Sequence, residues 1–268
     1  SNPKNIRMLS FRHIQAGYRR GFSLQDVSFD MERGGITGVI GSNGSGKTTF
    51  LRALCHDIPF SGTMTIDGED FSQAGLLRRS RLLALVPQQV EKIALSVFDY
   101  VLLGRTPYRK WYQTDYTASD KQVAWEAIDE VGLGDIFSHE TLLQRKMEML
   151  SGGERQLAAL AKALCQQTPV LLLDEPTANL DLAHQVQVLG KIAEISKKRE
   201  VYTLLVIHDV NLAAVYCDRL VCFSQGRVIG EGKTEEVLVQ EKMEAVYHTP
   251  LCIGRHPQSG KPLILPRK

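Results

Sequence analysis

Scarcities give the first bearings on this chain of 268 residues. An excess of either charge is missing, since 32 Lys and Arg stand against 30 Asp and Glu, a formal +2 with a pI near 8.2. Phosphate backbones are bound by strongly basic faces, so no nucleic-acid partner is expected. The five cysteines (Cys55, Cys165, Cys217, Cys222 and Cys252) are odd in number, scattered and without a C-x-x-C pair. They read as reduced thiols of a reducing compartment, and Cys217 and Cys222 lack the spacing of a zinc pair. Long apolar runs are absent too: residues 170–173 and 204–207 are far too short to cross a bilayer. Residues 1–9 contain no apolar signal region, so export is not expected. There are no internal repeats, low-complexity tracts or long linkers. What remains, 43% hydrophobic and 23% charged, is the composition of a globular protein large enough to bury a core.

Hydrophobic periodicity orders the chain. Residues 22–31 (FSLQDVSFDM) alternate apolar and polar and predict a strand, closed by a turn at Arg33-Gly34-Gly35. The apolar run 36–40 predicts a second strand, and Phe50, Leu51 and Leu54 predict a helix over 47–55. Residues 62–68 alternate again, and the run 82–86 ends at Pro87. The middle of the chain reads as helical, with one apolar face over 120–131. Strands at 170–173 and 202–207 then flank an amphipathic helix over 182–195. Strand–helix alternation implies a mostly parallel sheet covered on both faces. The expectation is one α/β domain with a helical insertion.

Three motifs carry chemistry. Gly41-Ser42-Asn43-Gly44-Ser45-Gly46-Lys47-Thr48 matches G-x-x-x-x-G-K-[ST] between a predicted strand and a predicted helix. Its glycines let backbone N–H groups converge on phosphate oxygens at a helix N-terminus. Lys47 is expected on the β- and γ-phosphates and Thr48 on Mg²⁺, with Thr49 beside it. The second motif is the pair Asp174-Glu175, which follows the aliphatic run 170–173. Ligands bind at the carboxyl ends of strands in open parallel sheets, so Asp174 suits a hard Mg²⁺ ion and Glu175 suits orienting and deprotonating a water. In the third, Leu150-Ser151-Gly152-Gly153-Glu154-Arg155-Gln156, Ser151 and Glu154 form a capping box. A cap needs no glycines, and Gly152 and Gly153 weaken a first turn, which suggests close approach of a ligand to the backbone.

These motifs, in this order along essentially the whole chain, resemble the ATP-binding cassette family, whose signature is L-S-G-G-E-R-Q. By that resemblance residues 41–48 look like the Walker A loop, Gln88 like the Q-loop glutamine and a further Mg²⁺ contact, and 151–156 like the signature. Residues 170–174 resemble Walker B, and Glu175 stands where the catalytic glutamate does. Asp181 in Asn179-Leu180-Asp181 resembles the D-loop aspartate, His208 the switch histidine, and Tyr18 the aromatic that stacks on adenine. The family implies an α/β P-loop NTPase (RecA-like) core with a parallel sheet, an N-terminal antiparallel β subdomain and an inserted helical subdomain. Residues 1–268 then form a single ATPase domain with helices over roughly 89–167. The family also implies ATP and Mg²⁺, and a head-to-tail homodimer in which Ser151 and Gly153 reach the γ-phosphate held by the other subunit. Leu103-Gly104-Arg105-Thr106-Pro107-Tyr108, Leu182-Ala183-His184-Gln185 and 256–262 resemble cassettes of importers for iron–siderophores, haem and vitamin B12. That subgroup implies a polytopic permease, an indirectly linked substrate-binding protein and a peripheral place on the cytoplasmic face of the membrane. An iron–sulfur assembly scaffold cassette is the rival of similar size. The helical insertion is expected to dock the permease near Val97, Tyr100, Val101, Leu102 and Leu103, most of them core and a few facing the partner, with Arg105 and Tyr108 the polar and aromatic candidates at the edge.

Overall fold

The computed structural model describes residues 7–18 and 21–267. The first few residues read for a signal, Arg19, Arg20 and the last lysine lie outside the described residues. The chain separates into two compact units, one running to Ala74 and resuming at Ser196, the other covering Gly75–Ile195.

In the first unit, Ser23–Glu32, Met8–Gly17, Phe60–Ile66 and Glu69–Asp70 form an antiparallel sheet in that order. Leu9, Phe11 and Ile14 are buried on one strand and Leu24, Val27 and Phe29 on its neighbour, so the alternation supplies an apolar face. That face meets the helix Lys47–Leu54 through an aromatic cluster in which Phe50 lies 5.2 Å from Phe11 and 5.4 Å from Phe29. A second group of strands runs parallel: Ile36–Gly41 pairs with Tyr202–Val206 on one side and Arg219–Ser224 on the other. All six residues of Ile36–Gly41 are buried, the pattern of a strand covered on both faces. Arg227–Lys233 adds an antiparallel edge, and a small hairpin pairs Leu251–Arg255 with Pro262–Pro266.

The second unit is mostly helical. Val97–Leu102 and Ala118–Glu130 pack against Gly152–Cys165, and Leu83–Val86 pairs in parallel with Val170–Asp174. Most of the apolar stretch read beside the docking surface is core. Val97, Tyr100, Val101 and Leu102 are all buried, and of the apolar stretch only Leu103 is exposed. Arg105 turns inward, donating to Asp120 Oδ1 at 2.9 Å, Cys165 O at 3.0 Å and Gln167 Oε1 at 2.9 Å. A buried guanidinium is held only where its donors are met, and here Nε and Nη1 both have acceptors. Tyr108 lies under the Arg105 guanidinium at 4.0 Å and donates to Gln166 O. Trp125 is stacked between Phe98 and His139, centroids 4.2 and 4.1 Å away, whereas Trp111 is 96% exposed.

The cysteines are all free thiols, and burial pushes Cys217 and Cys222 up to about 12. Among the described residues no helix is long and apolar enough to cross a membrane.

Candidate functional site

The phosphate loop begins where Ile36–Gly41 ends. Gly41, Gly44 and Gly46 take φ of +152°, +76° and +112°, values that suit glycine alone, and Lys47 opens the helix. Lys47 is 5% exposed, and its Nζ donates to Gly41 O at 2.9 Å and Ser42 O at 3.1 Å. The ammonium therefore sits inside the ring of the loop, held by the loop's own carbonyls. Ser45 Oγ is buried with no hydrogen-bond partner among the described residues, while Asn43, Gly44 and Thr48 are exposed. A glycine-bent loop, an inward cation and a spare hydroxyl at a helix start fit a polyphosphate.

Tyr18 follows the first strand and is 43% exposed. Its hydroxyl accepts from Arg52 Nη1 at 2.9 Å, a partner that sequence reasoning missed. The available signal was an arginine amid the apolar positions of the loop helix. His208, also in this unit, is exposed just past the strand Tyr202–Val206, where Asp209 caps the helix Val210–Tyr216 through Asn211 N and Leu212 N.

The other candidates belong to the second unit. Asp174 is the last residue of its strand and half-buried. Glu175 leaves the strand with φ of +47°, an uncommon value for a residue with a Cβ, and is 7% exposed. The structure brings Gln88 to it: Gln88 Nε2 donates to Glu175 Oε2 at 2.7 Å, and Gln156 Nε2 donates to the Gln88 carbonyl at 3.1 Å. Gln88 Oε1 is then the amide atom suited to a cation. Among the described residues no three His, Cys, Asp or Glu side chains cluster as a metal cage. A Mg²⁺ ion held by one or two protein oxygens plus substrate phosphates needs none; Thr48 carries an oxygen of that kind in the first unit, Gln88 and Asp174 in the second.

Ser151 caps the helix Gly152–Cys165 as expected: Glu154 N donates to its hydroxyl at 3.3 Å, and Ser151 N donates to Glu154 Oε2 at 2.7 Å. Asp181 is exposed and accepts from His184 N and His184 Nδ1, at 2.9 and 2.8 Å. These two bonds, the backbone one first, hold the Asp181 carboxyl below the usual carboxylate range.

Residues 24–178 match the family described as ABC transporter. A hemin import ATP-binding protein of Pseudomonas fluorescens is 36% identical over 95% of this chain and 97% of its own. One from Bacillus subtilis, named a probable siderophore transport system ATP-binding protein, is 32% identical over 96% and 92%. A solved transporter described as metal-chelate type, in an inward-facing conformation, superimposes with a TM-score of 0.82 at 27% identity, covering 98% of each chain.

Proposed function

The chain belongs to the ABC transporter family, and from that premise we propose that it is the ATP-hydrolysing subunit of a metal-chelate importer. The cargo class is an iron–siderophore, haem, cobalamin or molybdate. The observation that carries the hydrolytic part is Gln88 Nε2 bound to Glu175 Oε2 at 2.7 Å, which aims a nearly buried carboxylate from a left-handed turn. A carboxylate so held is suited to orient an attacking water and take its proton. Lys47 and the N–H groups of residues 41–48 hold the phosphates, and Tyr18, oriented by Arg52, stacks on adenine. Thr48, Asp174 and Gln88 are the oxygens offered to Mg²⁺, an ion that neutralises charge on the transferring phosphoryl group. His208 holds the γ-phosphate geometry. Ser151, Gly152, Gly153 and Asp181 serve a nucleotide held by a second copy of the chain in a homodimer.

The entire chain is read as one ATPase domain, with its helical part near residues 89–167. Its link to the membrane is a polytopic permease, with a substrate-binding protein as the indirect partner, which puts the subunit on the cytoplasmic face. The transport reading is supported over an iron–sulfur scaffold by the import and transport names of the relatives above. Deletion of the gene tests it: uptake of one metal chelate is lost while iron–sulfur enzymes keep their activity. Normal uptake of every such chelate, with iron–sulfur enzymes inactive, would overturn it.

A further inference from the structure

Neither signature glycine is required by the backbone, because Gly152 and Gly153 are absent from the positive-φ positions and lie in ordinary helix. Each nonetheless weakens the helix by about 1 kcal/mol relative to alanine. The reason the structure offers is room. A Cβ at Gly153 would lie 2.5 Å from His184 Cδ2, 3.1 Å from its Cγ and 3.3 Å from its Cβ. A Cβ at Gly152 would lie 3.1 Å from Leu180 Cδ2. Two side chains that flank Asp181 therefore cover both glycines.

The imidazole is not free to swing aside. An ionised carboxylate only accepts, so His184 Nδ1 carries the proton it gives to Asp181 Oδ1 at 2.8 Å. The same oxygen takes His184 N at 2.9 Å, which fixes the first turn of the helix Leu182–Arg199 around the carboxylate. Turning the ring away to admit a side chain at Gly153 would break the bond to Asp181. The position of the signature turn and the orientation of Asp181 thus depend on one ring.

We propose that His184 is a positioning residue that fastens the Asp181 turn to the start of the signature helix, so that both meet a nucleotide across the dimer as one piece. The inference rests on the dimeric ATPase reading above. It adds that the ring, without touching nucleotide, sets how well the signature turn engages it. Loss of the ring frees the two segments to move separately, and misplacement of binding groups lowers turnover without weakening the grip of the phosphate loop.

The full-length subunit provides the test, by steady-state ATPase kinetics and by ATP-dependent dimerisation in a Glu175→Gln background. His184→Ala is expected to lower kcat about tenfold with KM changed less than about twofold. ATP-driven dimer should fall in the Glu175→Gln/His184→Ala protein. His184→Asn, whose amide N–H can still reach Asp181, should recover most of both. Gly153→Ala should cost less kcat in the His184→Ala background than in the wild type, because the colliding ring is gone. Wild-type kcat and dimerisation in His184→Ala, equal impairment by His184→Asn, or full additivity with Gly153→Ala would each overturn the assignment. Absence of ATP-dependent dimer in Glu175→Gln with His184 intact would instead remove the dimeric reading itself, and this inference with it.

Discussion

The phosphate loop and the signature turn both begin helices with glycines, and glycine answers a different need in each. At Gly41, Gly44 and Gly46 the chain bends through φ of +152°, +76° and +112°, and within the bend the Lys47 ammonium donates to the Gly41 and Ser42 carbonyls. At Gly152 and Gly153 the backbone is plain helix, and glycine makes room for Leu180 and His184. The first is an instrument of the main chain and tolerates few side chains because of conformation, to which close neighbours add at Gly41 and Gly46. The second is an instrument of packing and tolerates few because of neighbours. The proposed grip on phosphate is accordingly assigned to the loop unit, and the groups assigned to hydrolysis and to the partner's nucleotide largely to the other.

The largest expected effect separates those two jobs. Glu175→Gln should lower kcat about a thousandfold, within the range for loss of a general base, while ATP affinity stays within about twofold by nucleotide titration. A wild-type turnover number would break the division. Lys47→Ala should do the reverse, weakening ATP binding about a hundredfold, since it removes a buried charge-assisted contact to phosphate. Retained affinity by calorimetry would show that the main chain alone grips.

Smaller effects compare the glycines directly. Gly41→Ala combines a φ of +152° with a Cβ only 2.3 Å from Phe223 O, and thermal unfolding should show a loss of about 3 kcal/mol. Gly44→Ala meets nothing within 4 Å, so only backbone strain of about 1 kcal/mol is expected. Equal losses at both would mean that conformation, not contact, sets the cost. Ser151→Ala should cost about 1 kcal/mol by losing the cap, with no effect on the nucleotide affinity of the isolated chain.

How far the sequence anticipates all this depends on whether the signal is local. The strand ahead of the phosphate loop, the loop helix and the amphipathic helix starting at Leu182 are legible because each carries its own period or punctuation. The capping box is legible because its partners are three residues apart. Met8–Gly17 was missed: the pairing slips between Phe11 and Ile14, where His13 takes φ of +53°, and period-two alternation is lost. Arg227–Lys233 was missed because no residue of that edge strand is fully buried and it contains Gly230 and Gly232. Among candidate site residues, position along the chain was readable and partnership was not. Gln88 meets Glu175 across 87 residues of chain, and Arg105 finds a carbonyl 60 residues away. Nothing near Arg105 in sequence distinguishes an inward guanidinium from a docking one.

The chain's two tryptophans, Trp111 and Trp125, lie in the second unit, so the unit that carries the phosphate loop has none. Tryptophan fluorescence therefore has no reporter in the unit of the loop itself. Trp111, open to water, should answer to collisional quenchers, whereas Trp125, sandwiched between Phe98 and His139, should be shielded from them. Any tryptophan emission change on adding nucleotide to the subunit alone would be light from the unit that carries Gln88, Asp174 and Glu175, so its time course would follow events there and not at the phosphate loop.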